Sequence, residues 1–151
     1  MTFTTAKTPW HLWVIGVITL AWNAFGANDY TQTQLGNLEY FESMSANMDV
    51  APQEALTYFQ SFPAWADASW ALGTWGAVIG SALLLFRSRF AVWAFAISLL
   101  GLGSTTIYRI TSDKPDWTSN SATTIMSIVI WSIATFLLIY SVSMKNKGVL
   151  R

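Results

Sequence analysis

The chain has 151 residues, of which 53% are hydrophobic and 11% charged, and its formal net charge is zero. Soluble domains carry roughly 25% charged residues, so a soluble fold of this composition would expose large apolar patches and aggregate. The charge balance argues against nucleic-acid binding. The absence of cysteine and the single histidine, His11, argue against disulfides, thiolate sites, haem and multi-histidine metal sites, so we expect no cofactor or metal.

The first predicted element is an apolar helix over residues 10–30, which includes WHLWVIGVITLAWNAF. A helix of about 20 apolar residues crosses the hydrocarbon core, and a helix satisfies its own backbone groups there. Lys7, the apolar run after it and the small residues Ala24 and Gly26 are also typical of a cleaved signal peptide. We favour a retained membrane helix, because the run is rich in tryptophan and continues smoothly to Tyr30.

A connection of about 35 residues follows, and its predicted structured part covers about residues 37–62. Pro52 is typical of the first position of a helix, and Leu56, Phe59 and Phe62 recur after it at helical spacing. We predict one or two amphipathic helical segments in this long periplasmic loop, lying over the outer face. They form either a surface cap that anchors the loop, which we favour, or a lid over a ligand.

Three further transmembrane helices are predicted at about 65–86, 90–110 and 122–144. The short link RSR makes the second and third helices antiparallel neighbours and puts Arg87 and Arg89 at the level of lipid headgroups. The next link is a short loop broken by Pro115. The predicted fold class is therefore all-α, an integral membrane four-helix bundle in a single transmembrane domain, residues 1–151.

Small residues recur at matching spacing on the second and third predicted membrane helices. Such residues let two helix backbones approach closely. We expect these two helices to pack on each other through them, in preference to forming a dimer contact. The residues are Gly73, Gly76, Gly80, Ala94, Ser98 and Gly101.

Charge is segregated between the two sides of the predicted bundle. Six of the eight lysines and arginines lie in the two tails and the RSR link, which indicates that both termini are cytoplasmic. All eight carboxylates fall on the opposite side, so the outer face is acidic. They are Asp29, Glu39, Glu42, Asp49, Glu54, Asp67, Asp113 and Asp116.

Polar residues meet at one depth near the outer boundary. At 1.5 Å per residue, Asp29 lies roughly 29 Å and Arg109 roughly 30 Å from the inner entry of their helices, while Asn23 lies roughly 20 Å across. We predict that Arg109 bonds Asp29 or Asp67, and that tryptophans and Tyr108 wall the cluster. It either ties helix ends together, which we favour, or lines a vestibule for a neutral polar solute. Its members are Trp22, Asn23, Asn28, Asp29, Asp67, Trp70, Tyr108 and Arg109.

Several short motifs resemble an uncharacterised family of small bacterial integral membrane proteins. They are Trp22-Asn23, Gly26, Asp29-Tyr30, Phe62-Pro63-x-Trp65, Trp75-Gly76 and Arg87-Ser88-Arg89, and the likeness spans about residues 9–110. The resemblance implies a multi-pass four-helix protein of the bacterial inner membrane and adds no established activity. Some members of that family are labelled sugar transporters.

No catalytic signature is present, so we predict a non-enzymatic accessory or partner-binding membrane protein. The central turns of the second to fourth helices carry no ionisable residue, which argues against a proton-coupled carrier. One alternative is a transporter or channel for small neutral, sugar-like solutes that acts as an oligomer. Another is a membrane enzyme on lipid or quinone, with Asp29 and Asp67 as its carboxylate pair. The expected partners are the lipid bilayer and a membrane protein or a second copy of this chain.

Overall fold

A computed structural model describes residues 7–45 and 50–151, and the prediction for Asp49 lies outside these ranges. The described residues are helical and contain no β-strand. Four of the helices, α1, α4, α5 and α6, are long and apolar enough to cross a membrane, which confirms the predicted all-α, four-span fold class. In chain order the elements are α1 (Trp10–Gln34), α2 (Leu38–Ser45), α3 (Pro52–Gln60), α4 (Ala64–Leu85), α5 (Ala91–Thr111), a 3₁₀ helix (Asp116–Ser119) and α6 (Ser121–Asn146).

Helix α1 continues beyond residue 30, where the predicted helix ended. The threonines there do not break it, because their hydroxyls donate to carbonyls one turn back, Thr31 to Ala27 and Thr33 to Asp29. The helix is followed by Gly36, whose φ of +66° lies in the left-handed region that glycine tolerates best. The chain then turns directly into α2.

The four long helices alternate in direction, so the bundle has two distinct ends. We call the end that carries α2, α3 and the 3₁₀ helix the cap end, and the opposite end the tail end. At the tail end, the backbone N–H of Arg89 donates to the carbonyl of Arg151 (2.8 Å), and the N–H of Arg151 donates to the carbonyl of Arg87 (2.7 Å). The last residues of the chain are thereby fastened to the α4–α5 link, and Val149 and Leu150 are buried.

The two arginines of the α4–α5 link make different side-chain contacts. Arg87 donates from Nη1 to the Thr8 hydroxyl (2.7 Å), so it binds the segment that leads into α1. Arg89 is exposed, with its guanidinium carbon 5.5 Å from the centre of the Phe90 ring. Both residues lie at the tail end of the bundle, and their placement beside lipid headgroups stays a prediction.

Helix α4 is the centre of the bundle and packs against α5 and α1. The α4–α5 contact is close enough for backbones to touch: a Cβ built on Gly101 would lie 2.6 Å from the backbone nitrogen of Gly73. The Ser98 hydroxyl donates to the Gly73 carbonyl at 2.6 Å. Side-chain atoms also fill the space next to Gly76 and Gly80. The small residues of α4 and α5 therefore form one closely packed helix–helix interface, in which Ala94 is half-buried.

Helix α6 packs against the rest of the chain mainly through its second half. Its buried residues are Leu137, Ser141 and Met144. At the tail end, His11 Nδ1 of α1 lies 2.6 Å from the Tyr140 hydroxyl of α6 and joins the two helices. No side chain from Ser121 to Phe136 is buried. The bundle is therefore tightest at its tail end, and the first half of α6 lies on its periphery.

Candidate functional site

Asn23 of α1 is hydrogen-bonded to α4. Its Nδ2 donates to the hydroxyl of Ser81 on α4 at 2.9 Å and approaches the Ala77 carbonyl at 3.4 Å. Ser81 is fully buried. An amide this far into a membrane helix needs an internal partner, and α4 supplies it. This contact supports the interpretation that polar residues of α1 tie helices together.

Asp67, in the first turn of α4, is held by two side chains of α1. Gln34 donates from Nε2 to Oδ1 at 2.7 Å, and the Tyr30 hydroxyl donates to Oδ2 at 3.4 Å. The Tyr30 ring packs edge-on against Trp70, one turn along α4, with ring centres 5.1 Å apart. A carboxylate in this position also interacts favourably with the positive end of the helix dipole.

Asp29 lies in a separate environment from Asp67. The hydroxyl of Tyr40, on α2, is buried beside Asp29 and Asn28 without reaching hydrogen-bond geometry with a described residue. Burial raises the pKa of Tyr40, and the neighbouring Asp29 carboxylate raises it further. Asn28 is exposed and accepts a bond from the Gln32 amide at 3.3 Å.

Arg109 does not pair with either carboxylate in the described part of the chain, which corrects the predicted ion pair. Its charge lies instead beside Tyr58 of α3. Burial raises the pKa of Tyr58, and Arg109 opposes that rise by stabilising the phenolate. The physical reason is that α3 folds back over the bundle and places aromatic rings between the end of α5 and the ends of α1 and α4.

These rings form a continuous group that we call the aromatic layer. Its contacts run from Trp70 to Phe59 (ring centres 5.6 Å apart) and Phe62 (6.0 Å), and on from Phe62 to Tyr108 (4.9 Å). Aromatic pairs at these separations are favourable beyond their buried area. The layer closes the cap end of the bundle. Its members are Tyr30, Tyr40, Phe41, Tyr58, Phe59, Phe62, Trp65, Trp70, Tyr108 and Trp117.

Of the predicted walls of the polar cluster, Trp70 and Tyr108 belong to the aromatic layer. Trp22 does not, because it is 36% exposed on α1 and no ring contact joins it to the layer. Phe59, Phe62 and Trp117 also line or contact this end of the bundle, and none of them was among the predicted site residues. The helical spacing of Phe59 and Phe62 was the signal that could have placed the first two there.

A half-open cleft of about 350 Å³ lies at the cap end between α1, α3 and α4. We call it the Asp67 cleft, and it is lined by Gln34, Phe59, Gln60, Phe62, Ala64 and Asp67. Gln60 is fixed by a bond from its Nε2 to the Thr33 carbonyl (3.0 Å). The cleft combines one carboxylate, two amides and aromatic rings, which suits recognition of a small polar group.

A second, more open depression of about 570 Å³ follows α3 on the outside of the cap. Its polar side chains come from Gln53, Glu54, Thr57 and Ser61, and Tyr58 and Pro115 form part of its apolar wall. The described residues contain no group of three or more histidine, aspartate or glutamate side chains placed to hold a metal ion.

The likeness to small bacterial membrane proteins noted from the sequence stays a prediction. Comparison of this chain with protein-family models, with curated proteins and with solved structures found no match.

Proposed function

We propose that this chain is a non-enzymatic accessory membrane protein whose cap end recognises a basic partner outside the membrane. The observation that carries the proposal is that the cap is both acidic and packed, so that its charges are presented on a fixed surface. A long connection in so small a protein calls for such an explanation.

Buried side chains hold the cap together. Phe41 of α2 and Ala55 and Leu56 of α3 form a small hydrophobic core of their own, separate from the core of the bundle. Trp117 packs against it from the loop before α6 and donates from Nε1 to Glu54 at 3.2 Å. The consecutive helices α2 and α3 and the distant 3₁₀ helix therefore support one surface.

Negative charge is concentrated at the cap end of a chain whose formal net charge is zero. The sequence assigns eight carboxylates to this end against two cations, Arg109 and Lys114, which leaves a charge of −6. A field of one sign attracts oppositely charged partners and raises their rate of association. Five of the carboxylates are exposed on the described surface: Glu39, Glu42, Glu54, Asp113 and Asp116.

The interior favours a binding role over conduction by a single chain. Asn23 is hydrogen-bonded to Ser81 of α4, and the backbones of α4 and α5 are in close contact at Gly73 and Gly101. By the positive-inside rule, the tail end belongs in the cytoplasm of a bacterial cell and the cap end outside it.

The experiment is purification in a mild detergent from native membranes at low and high salt. We expect a companion protein in fixed stoichiometry that high salt releases. A variant with Glu39→Gln, Glu42→Gln and Glu54→Gln should lose it, whereas a variant with Lys145→Gln and Lys147→Gln at the tail end should keep it. A protein that always purifies alone, or a companion indifferent to both salt and the glutamate changes, would contradict the proposal.

A further inference from the structure

The Asp67 cleft has the chemistry of a cation site. We propose that it binds an organic cation with N–H donors, a primary ammonium or a guanidinium group. The cation comes either from a lysine or arginine side chain of the partner, in which case this inference rests on the proposed function, or from a free amine.

The first step concerns the charge of Asp67. Its two hydrogen bonds come from neutral donors, the Gln34 amide and the Tyr30 hydroxyl, and no lysine or arginine of the described chain pairs with it. A carboxylate has about four acceptor positions, so two stay free. The positive end of α4 offsets only about half of a unit charge. A net negative charge with free acceptor positions therefore faces the cleft.

The second step concerns the two amides. Gln34 and Gln60 each direct Nε2 to a protein acceptor, Asp67 Oδ1 at 2.7 Å and the Thr33 carbonyl at 3.0 Å. These bonds leave both amide oxygens, and the second N–H of each Nε2, without a partner among the described residues. Amide oxygens accept and do not donate, so together with the carboxylate they favour a ligand that brings hydrogen atoms. An anion would meet repulsion from Asp67.

The third step concerns the apolar wall. Phe59 and Phe62 line the cleft, and the Trp70 ring packs behind both of them. Ring faces attract cations, and they also cover the methylene stem of a long amine. A volume of about 350 Å³ accommodates one such side chain or a small free amine. Carboxylate, acceptors and rings therefore specify one ligand class.

The experiment uses the full chain in lipid nanodiscs and ligand-observed NMR with four probes. N-acetyl-lysine methylamide and N-acetyl-arginine methylamide carry the proposed groups, tetramethylammonium is a cation without N–H donors, and glucose is a neutral polyol. We expect weak, saturable binding of the first two only. Equal or stronger binding of tetramethylammonium or glucose, or no binding of the lysine and arginine probes at millimolar concentration, overturns the proposal.

Two variants locate the binding. Asp67→Asn should weaken binding of the lysine probe by about tenfold or more, the effect of losing one charged hydrogen bond. Asp113→Asn, which removes the same charge from an exposed position outside the cleft, should leave it unchanged. Gln34→Leu keeps the carboxylate and should weaken binding less than Asp67→Asn. Equal affinity of the folded Asp67→Asn variant and wild type overturns the assignment to this cleft.

The same variants identify the source of the cation. If Asp67→Asn releases the companion found by purification, the partner's own side chain occupies the cleft. If the companion stays while probe binding is lost, the ligand is a free amine. If the probe binds and no companion is found, the cleft proposal is supported and the partner proposal is refuted. If a companion is found and the probe does not bind, the partner proposal is supported and the cleft proposal is refuted.

Discussion

Asn23 of α1 donates a hydrogen bond of 2.9 Å to the hydroxyl of Ser81 on α4, and this bond lies within the span of the bundle. Hydrogen bonds between membrane helices contribute about 0.6 kcal/mol on average and up to about 1.7 kcal/mol. Since Ser81 is fully buried, we expect Asn23→Ala and Ser81→Ala each to lower stability by about 1 kcal/mol.

Thermal or SDS-induced unfolding in detergent micelles measures this effect. The two changes should not add, because each removes the same bond. Ser132→Ala is the matched control, since that exposed serine bonds only to the Ile128 carbonyl of its own helix. Strictly additive losses for Asn23 and Ser81 would show that the bond contributes nothing.

Gly101 is the point of closest approach between α4 and α5. A methyl group there would lie 2.5 Å from the Ser69 carbonyl oxygen, so Gly101→Ala must push the two helices apart. We expect a loss of about 1–3 kcal/mol, the usual cost of overpacking. Gly26→Ala is the control, because a Cβ there meets nothing within 4 Å and alanine is the better helix former. Equal stability of the two variants would disprove the close contact.

Tyr40 and Tyr58 make the cap sensitive to alkaline pH. Burial is the main cause that raises the pKa of both phenols, so the cap binds their protons more tightly than the unfolded chain does. The stabilisation is complete at pH values below the pKa of tyrosine in the unfolded chain, about 10. It is lost as the pH rises through the higher pKa values that the two tyrosines have in the folded chain. We expect the cap to loosen above about pH 10. Fluorescence of Trp117, whose ring centre lies 5.4 Å from that of Tyr58, reports it.

A Tyr40→Phe, Tyr58→Phe double variant tests the assignment of this transition. Neither hydroxyl has a hydrogen-bond partner in the described structure, so removing both should cost little stability at neutral pH. The alkaline change at Trp117 should disappear in this variant. If it persists unchanged, other groups cause it.

Tyr140 joins α6 to α1 at the tail end through its 2.6 Å contact with His11. Tyr140→Phe keeps the ring and its stacking on Phe136 but removes this bond. We expect a loss of about 1 kcal/mol in detergent unfolding. His11→Phe should have a similar effect, and the double variant should be no worse than either single one. A larger, additive loss would mean that the residues act separately.

Apolar runs of spanning length predicted the four long helices because such runs have few stable alternatives in lipid. Counting depth along each helix also placed Asp29, Asp67 and Arg109 at the same end. It could not give the azimuth of each side chain. The predicted ion pair of Arg109 was wrong for this reason. Arg109 lies beside Tyr58 and not beside a carboxylate, because α3 folds back across the bundle.

In the cap, too, the sequence predicted the helices but not the long-range contacts between them. The sequence predicted one or two cap helices and an anchoring role, since Leu56, Phe59 and Phe62 recur at helical spacing. It did not indicate that Trp117, which lies in the 3₁₀ helix 63 residues after Glu54, completes the packing, because one tryptophan in a polar segment carries no periodic signal. The Asp67 cleft was not predictable either, since its lining comes from three helices whose mutual angles depend on long-range packing.

Photo-crosslinking in living cells tests the central claim, that the acidic cap is the recognition surface, most directly. A photoreactive phenylalanine at exposed Thr57 lies in the middle of the cap, and one at exposed Lys147 lies at the tail end. We predict one discrete adduct from position 57 that disappears when Glu39, Glu42 and Glu54 are changed to glutamine, and no such adduct from position 147. Adducts of equal yield at both positions, or a position-57 adduct that survives loss of the three carboxylates, would contradict the account.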